Sequence, residues 1–224
     1  MAPPATTTAQ PVPVPEPYVS RINANPTPAE LQKLYDEWAA NYVSDLVGDS
    51  QNYVAPAITA QAVLKTLGTD HIDPSLEILD AGCGTGWVGK NLWEVGARNI
   101  DGSDISPGML KEARSTGAYR DLDVVDLTKP LAVRDARYDV VTCIGTFLLG
   151  HVGPEALPEF VRVLKTGGIV VCTVRDNVWE EKGYKSCIEG LVREGRIHLI
   201  SAEISDYRKG ANVEAYLVIF KKLA

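Results

Sequence analysis

One stretch, Glu77-Ile78-Leu79-Asp80-Ala81-Gly82-Cys83-Gly84-Thr85-Gly86, limits what this chain can become more than any other. A short apolar run ends in an acid, a glycine-rich turn follows, and Trp87 to Glu94 then reads as a helix. Strand, tight loop and helix in that order form one limb of an α/β crossover. Glycines at 82, 84 and 86 let the backbone bend sharply and leave room for a ligand against the main chain. Asp80 at the strand end disfavours a phosphate there and suits a cationic or hydroxyl-bearing group. The spacing also departs from the dinucleotide fingerprint G-x-G-x-x-G, because the third glycine comes one residue early.

The rest of the chain supplies the other limbs. With 224 residues, 45% of them hydrophobic and 23% charged, it is large enough for one domain with a full core. The net charge of −7 argues against a broad nucleic-acid footprint. No apolar run approaches the roughly 18 residues of a membrane span, and the Pro/Thr-rich start lacks the pattern of a secretory signal. Cys83, Cys143, Cys172 and Cys187 show no metal-ligand spacing, so no metal site is expected, and a reducing, cytoplasmic setting fits free thiols in buried strands.

Residues 1–25 read as a disordered Pro-rich tail, and 26–224 as a single domain whose first part, about 27–68, is helical and could act as a lid. Thr27-Pro28-Ala29-Glu30 is a capping box with Pro at the first helical position. Leu31, Leu34, Tyr35, Trp38, Tyr42 and Leu46 follow at helical spacing; the face serves core packing or, at the three polar-tipped aromatics, covers a ligand. A second helix, Pro56 to Leu67, stops at Gly68. Strands are expected at about Leu76–Asp80, Asn99–Ile105, Asp121–Leu127, Arg137–Gly145 and Ile169–Val174, with helices between them, a turn at Lys165 to Gly168 and a helix holding Trp179, Tyr184, Ile188 and Leu191 after the fifth strand, and then as a hairpin, Ile197–Tyr207 and Val213–Phe220. The alternation indicates one α/β domain with a largely parallel sheet. Asp104 closes the second strand at the distance from the glycine loop expected of a ribose-binding acid. The near-continuous apolar fourth strand is a buried central one, and the loop after it, with His151, should face the ligand end of the sheet. His151 is the candidate proton acceptor there, or orders the loop through the backbone. Arg175 either meets an anionic group or pairs with Asp176.

Several of these segments resemble one family. Asp80 to Gly86 is similar to motif I, D-x-G-x-G-x-G, of the class I S-adenosylmethionine-dependent methyltransferases. Asp104-Ile105-Ser106-Pro107-Gly108-Met109-Leu110 resembles that family's D-I-S-P-x-M-L. Arg162 to Gly168 resembles R-V-L-K-P-G-G with Thr166 in place of proline, and Tyr35 to Tyr42 resembles Y-x-x-W-A-x-x-Y. Gly150 to Leu157 reads G-H-V-G-P-E-A-L, a loop shared with small stand-alone methyltransferase-like proteins. The resemblance runs from about Thr27 to Phe220 with the segments in the family's order.

The resemblance implies a Rossmann-like α/β fold: a mostly parallel seven-stranded sheet with a C-terminal antiparallel hairpin and helices on both faces. It implies S-adenosyl-L-methionine as cofactor, S-adenosyl-L-homocysteine as product, and in-line methyl transfer to an oxygen or nitrogen of a small molecule. Asp80, Gly82, Cys83, Gly84, Gly86 and Trp87 would hold the methionine end. Asp104 and Ile105 would take the ribose, and Met109, Asp126 and Leu127 would frame the adenine, with Met109 equally placed as core filler. Ile144 and Thr146 would line the seam between cofactor and substrate, and Tyr35 and Tyr42 would close the top. Neither nucleic acid nor membrane is expected as a partner. Three alternatives stay open: a non-catalytic cofactor-binding or activator protein, a methyltransferase acting on protein or RNA, and a cyclase built on the same fold. Against the second, Ile144-Gly145-Thr146-Phe147 stands where many base and glutamine methylases carry Asn-Pro-Pro-Tyr.

Overall fold

Alternate side chains of a strand point to opposite faces, and the apolar runs here require both faces of the sheet to be dry. The computed structural model describes residues 26–48 and 51–223 together with Tyr18, Arg21 and Ile22. Strand β1 (Glu77–Ala81) pairs in parallel with β2 (Asn99–Asp104) on one side and β4 (Tyr138–Phe147) on the other. Outside these lie β3 (Asp121–Val124), parallel to β2, and β5 (Leu164–Arg175), parallel to β4. Strand β7 (Val213–Lys222) runs antiparallel to β5 and to β6 (Ile197–Arg208), so the order is β3-β2-β1-β4-β5-β7-β6. The strand order reverses between β1 and β4, and open α/β sheets bind ligands outside the carboxyl ends of the strands at such a point.

Helices cover both faces. Ile78, Val140, Ile144 and Val171 pack with Val63 and Leu64 of α2 (Ala55–Leu67) and with Val88 and Leu92 of α3 (Trp87–Glu94). On the other face Leu79, Val141, Cys143, Val170 and Phe220 meet Leu157 and Phe160 of α5 (Ala156–Val163) and Tyr184, Ile188 and Leu191 of α6 (Tyr184–Arg193). Helix α4 (Pro107–Ser115) sets Leu110 and Ala113 against Cys83. All four cysteines are free; Cys83, Cys143 and Cys172 are buried, and burial pushes their thiols up, which makes them inert. Among the described residues no helix is long and apolar enough to cross a membrane, and no three His, Cys, Asp or Glu side chains cluster as metal ligands.

The first helix, α1 (Pro28–Val47), starts at the expected capping box: the Thr27 amide donates to Glu30 Oε2 (2.8 Å), and the Glu30 amide donates to Thr27 Oγ1 (3.4 Å). Thr27→Ala should lower stability by about 1 kcal/mol, read as a shift of the urea midpoint at unchanged m-value. Trp38 is buried, donates through Nε1 to Asp45 Oδ2 (2.7 Å) and stacks on Tyr18 with ring centroids 5.1 Å apart. Ile22 joins the same cluster. Three residues of the stretch expected to be a tail thus pack or pair with α1, Arg21 through Glu37 at 3.2 Å; the remainder of 1–25 lies outside the described residues.

Three expected boundaries move. β3 stops at Val124, which places Asp126 and Leu127 in the following turn. Lys165-Thr166-Gly167-Gly168, expected as a turn, is absorbed into β5 where the β4–β5 register shifts between Tyr138 and Val140. Trp179 precedes α6 and follows a short 3-10 turn, Asp176–Val178.

Candidate cofactor and substrate cavity

The glycine loop forms the floor. The amides of Gly82 and Cys83 donate to the Ser103 carbonyl (2.7 and 2.9 Å), which folds the loop back onto β2. Gly82 has φ +73°, and a Cβ there would run into the Thr146 side chain at the tip of β4, so only glycine lets the two strand ends meet this closely. Above the loop is a cavity partly open to solvent.

Asp104 sits on its wall. Its Oδ2 accepts the Gly84 amide (2.9 Å) and its Oδ1 the Ser106 amide (2.9 Å). Burial raises its carboxyl above the usual range while these amides pull it back. Each oxygen keeps one lone pair, so the group can still receive two vicinal hydroxyls. Along the same wall Met109, Leu127 and Asp126 surround a slot; Asp126 Oδ1 accepts from the Thr128 amide (2.9 Å) and hydroxyl (2.6 Å). Met109 is both buried and on the wall, which joins its two expected roles.

α1 and the loop after β4 line the same cavity. The Tyr35 hydroxyl is 2.8 Å from His151 Nε2, and His151 Nδ1 is 3.0 Å from the Leu149 carbonyl. A carbonyl only accepts, so Nδ1 carries the proton and bare Nε2 accepts from the Tyr35 hydroxyl. Burial pushes the imidazole down to about 4 and holds the Tyr35 and Tyr42 phenols well above their ordinary range. At neutral pH the pair is an uncharged phenol donating to an uncharged imidazole.

Of the residues singled out in the sequence, Tyr35, Tyr42, Gly82, Cys83, Gly84, Trp87, Asp104, Ile105, Met109, Asp126, Leu127, Ile144, Thr146 and His151 line this one cavity. Asp80 and Gly86 are not on its wall. Asp80 is buried, accepts from the Tyr119 hydroxyl (2.7 Å) and the Thr142 hydroxyl (2.8 Å), and is pushed up to about 6 by burial. Its carboxylate is thus held between hydroxyls from β4 and from the segment after α4. Gly86 caps α3 and abuts Ala113 of α4. Trp38 faces Tyr18, away from the cavity. Arg175 pairs with Asp176 (3.2 Å) and the Glu214 carbonyl (3.1 Å). Tyr53, Val43, Pro56, Gly145 and Val152 line the cavity without having been singled out. Leu31 and Leu46, on the apolar stripe of α1, belong to core and cavity alike. Tyr53 is brought in by a β-bridge to Arg208, a pairing with no local sequence signal.

Asp36 fastens the covering helix. Its Oδ1 accepts from the Ser106 hydroxyl (2.5 Å) and the Gly108 amide (2.7 Å) at the start of α4. Ser106 in turn donates its amide to Asp104, so the helix over the cavity and the acid in its wall share one hydrogen-bonded residue. In Asp36→Ala, losing hydrogen bonds to a charged group, each worth about 1.5–3 kcal/mol, should speed amide exchange along α1 at least tenfold, measured by mass spectrometry, with the sheet unchanged.

Comparison with known proteins agrees with this geometry. The profile of a family described as "Methyltransferase domain" matches residues 78–168, the span from β1 into β5. Methyltransferase-like protein 27 of Homo sapiens is 36% identical over 170 residues, which cover 74% of this chain and 66% of that protein. Malonyl-[acyl-carrier protein] O-methyltransferase of Serratia marcescens is 29% identical over 119 residues, 52% of this chain and 45% of that one. The chain thus spans between about half and two thirds of these curated relatives. The crystal structure of magnesium protoporphyrin IX methyltransferase from Synechocystis PCC 6803 with bound S-adenosylhomocysteine superposes with a TM-score of 0.65 over 87% of this chain and 99% of that one, at 16% identity, a likeness of fold. The ordered motifs, the acid-tipped strands around the glycine loop and these matches together place the chain in the family of class I S-adenosylmethionine-dependent methyltransferases.

Proposed function

We propose that this protein binds S-adenosylmethionine in the cavity and catalyses methyl transfer to an oxygen or nitrogen of a small molecule. The observation that carries the reading is one cavity lined both by Asp104 and by the Tyr35–His151 pair. When bound, the cofactor supplies a methyl group activated by a sulfonium. The chain's own part is alignment and exclusion of water, which can lower a barrier by several kcal/mol. Asp104 receives the ribose hydroxyls. Met109, Asp126 and Leu127 hold the adenine, and the loop from Gly82 to Gly86 supports the methionine end. Gly84 fits this role because it lines the cavity and no atom stands where its Cβ would be. Tyr35 and Tyr42 close the top, and His151 is the candidate general base. A small acceptor suits a cavity walled by one chain and covered by α1.

Calorimetric titration with S-adenosylmethionine and S-adenosylhomocysteine tests the reading: micromolar binding is expected, and no binding of either sinks it. Once an acceptor is in hand, the pH profile is a second check. A neutral imidazole whose protonation falls near pH 4 predicts turnover that holds from pH 8 down to about pH 5, without the break near 6.5 of an exposed histidine.

A further inference from the structure

Beyond the cofactor slot, the cavity wall is made by Leu31, Tyr42, Leu46, Tyr53, Ile144 and Val152. The carboxyl side chains on the wall are Asp104 and Asp126, both committed to the cofactor in the reading above. The described residues include every Lys and Arg of the chain, and none of these lines the cavity. A carboxylate or phosphate acceptor would therefore meet no cation on the wall itself, Arg208 standing behind Tyr53, which is costly in an apolar setting. A cationic acceptor would share a low-dielectric space with the cofactor's sulfonium and be repelled. An uncharged acceptor meets neither penalty. The wall also offers one proton-accepting arrangement: the Tyr35 hydroxyl, 2.8 Å from an Nε2 that the Leu149 carbonyl, through Nδ1, keeps unprotonated.

We propose that the methyl acceptor is an uncharged, flat compound bearing a weakly acidic hydroxyl, a phenol or enol, and that this hydroxyl donates to Tyr35, which hands its own proton to His151. The inference rests on the methyltransferase reading of the same cavity. The balance is closed: the acceptor oxygen bonds to the methyl carbon as the carbon–sulfur bond breaks, and that bond's electron pair returns to sulfur. The acceptor's proton passes to the Tyr35 oxygen and the Tyr35 proton to His151 Nε2. The products are a methyl ether or enol ether, S-adenosylhomocysteine and an imidazolium that later releases its proton to solvent. Tyr42 and Tyr53 supply flat walls for an aromatic acceptor. Arg208, bridged to Tyr53, donates to Gln51 Oε1 at 3.2 Å, and its buried Nε has no partner, so it is the group that an anionic acceptor would implicate.

The test uses the full chain saturated with S-adenosylhomocysteine and two probes of one shape, 2-naphthol and 2-naphthoate, with 2-naphthylmethylammonium titrated into the chain saturated with S-adenosylmethionine, whose sulfonium is the charge it would meet. Calorimetry should show 2-naphthol binding at least tenfold tighter than either ion. Its near-ultraviolet band should shift to the red on binding, as its hydroxyl donates to an acceptor. In Tyr35→Phe, which keeps the ring, the red shift should vanish and affinity for 2-naphthol fall about tenfold, with the melting temperature within a few degrees of the parent's. Naphthoate or the ammonium binding as tightly as naphthol overturns the proposal. So does no binding of any probe to the saturated protein, or a Tyr35→Phe variant that keeps both shift and affinity. Failure to bind S-adenosylhomocysteine at all is a different result and overturns the methyltransferase reading instead.

Discussion

Asp104→Ala should weaken S-adenosylmethionine binding by at least 100-fold. Two hydroxyls donating to one carboxylate are worth about 1.5–3 kcal/mol each, and every 1.4 kcal/mol is tenfold in affinity. The variant also strips the amides of Gly84 and Ser106 of their acceptor, so the glycine loop loses the contact that ties it to the end of β2. Asp104→Asn separates the two effects. Its side-chain oxygen can still accept one amide, while the charge is gone, so a smaller but still more than tenfold loss is expected. Calorimetric titration reads both, beside a melting curve that should move only a few degrees. An Asp104→Ala protein that binds the cofactor like the parent would show that the ribose is held elsewhere and remove the main support for the site.

Gly89→Ala should destabilise the protein by about 3–4 kcal/mol, although alanine in a helix interior normally stabilises by about 1 kcal/mol relative to glycine. The reason is Tyr119. A Cβ at position 89 would collide with the Tyr119 ring, reaching Cε1 at 2.8 Å and Cζ and the hydroxyl still more closely. That hydroxyl accepts the Gly89 amide (3.1 Å) and donates to Asp80 (2.7 Å). Moving the ring leaves a buried carboxylate with Thr142 as its remaining side-chain donor and a helix amide without a partner, each a cost of about 1–3 kcal/mol. For a chain of this length the loss corresponds to a fall in Tm of about 10 °C. Tyr119→Phe, which removes the hydroxyl and keeps the ring, should cost about half as much. A Gly89→Ala variant as stable as the parent would show that Tyr119 can leave without loss.

What the sequence revealed and what it hid divide along the chain distance between partners. Asp104 was legible because Ser106 and the glycine loop that complete it belong to the same or the neighbouring motif. The surroundings of Asp80 were hidden because Tyr119 and Thr142, the donors to its carboxylate, lie 39 and 62 residues away. An acid at a strand end looks the same whether it faces a ligand or a buried hydroxyl. Helical spacing identified the apolar face of α1, yet spacing does not say what fills the space opposite. Trp38 turned toward Tyr18, whereas Tyr35 and Tyr42 turned into the cavity. The Tyr35–His151 contact joins positions 116 apart, and only the fold could bring it to light. The C-terminal strands were legible because Arg208 to Asn212 is rich in turn-forming residues, but their place in the sheet, with β7 inside β6, follows from pairing with β5 and has no local signature.

That order of strands also sets a schedule for synthesis. β6 leaves the ribosome before β7, the strand it pairs with, while β5 waits with one edge of its backbone unfilled. In the interval before Val213 appears, the nascent chain presents open strand edges, together with Ile200 and Ile204, which stay exposed even in the finished fold. Such edges are templates for pairing with other chains. The stretch from Val213 to Lys222 ends that hazard in one step by hydrogen-bonding on both sides. A chain stalled just short of it is the form that a cell's chaperones would have most reason to hold.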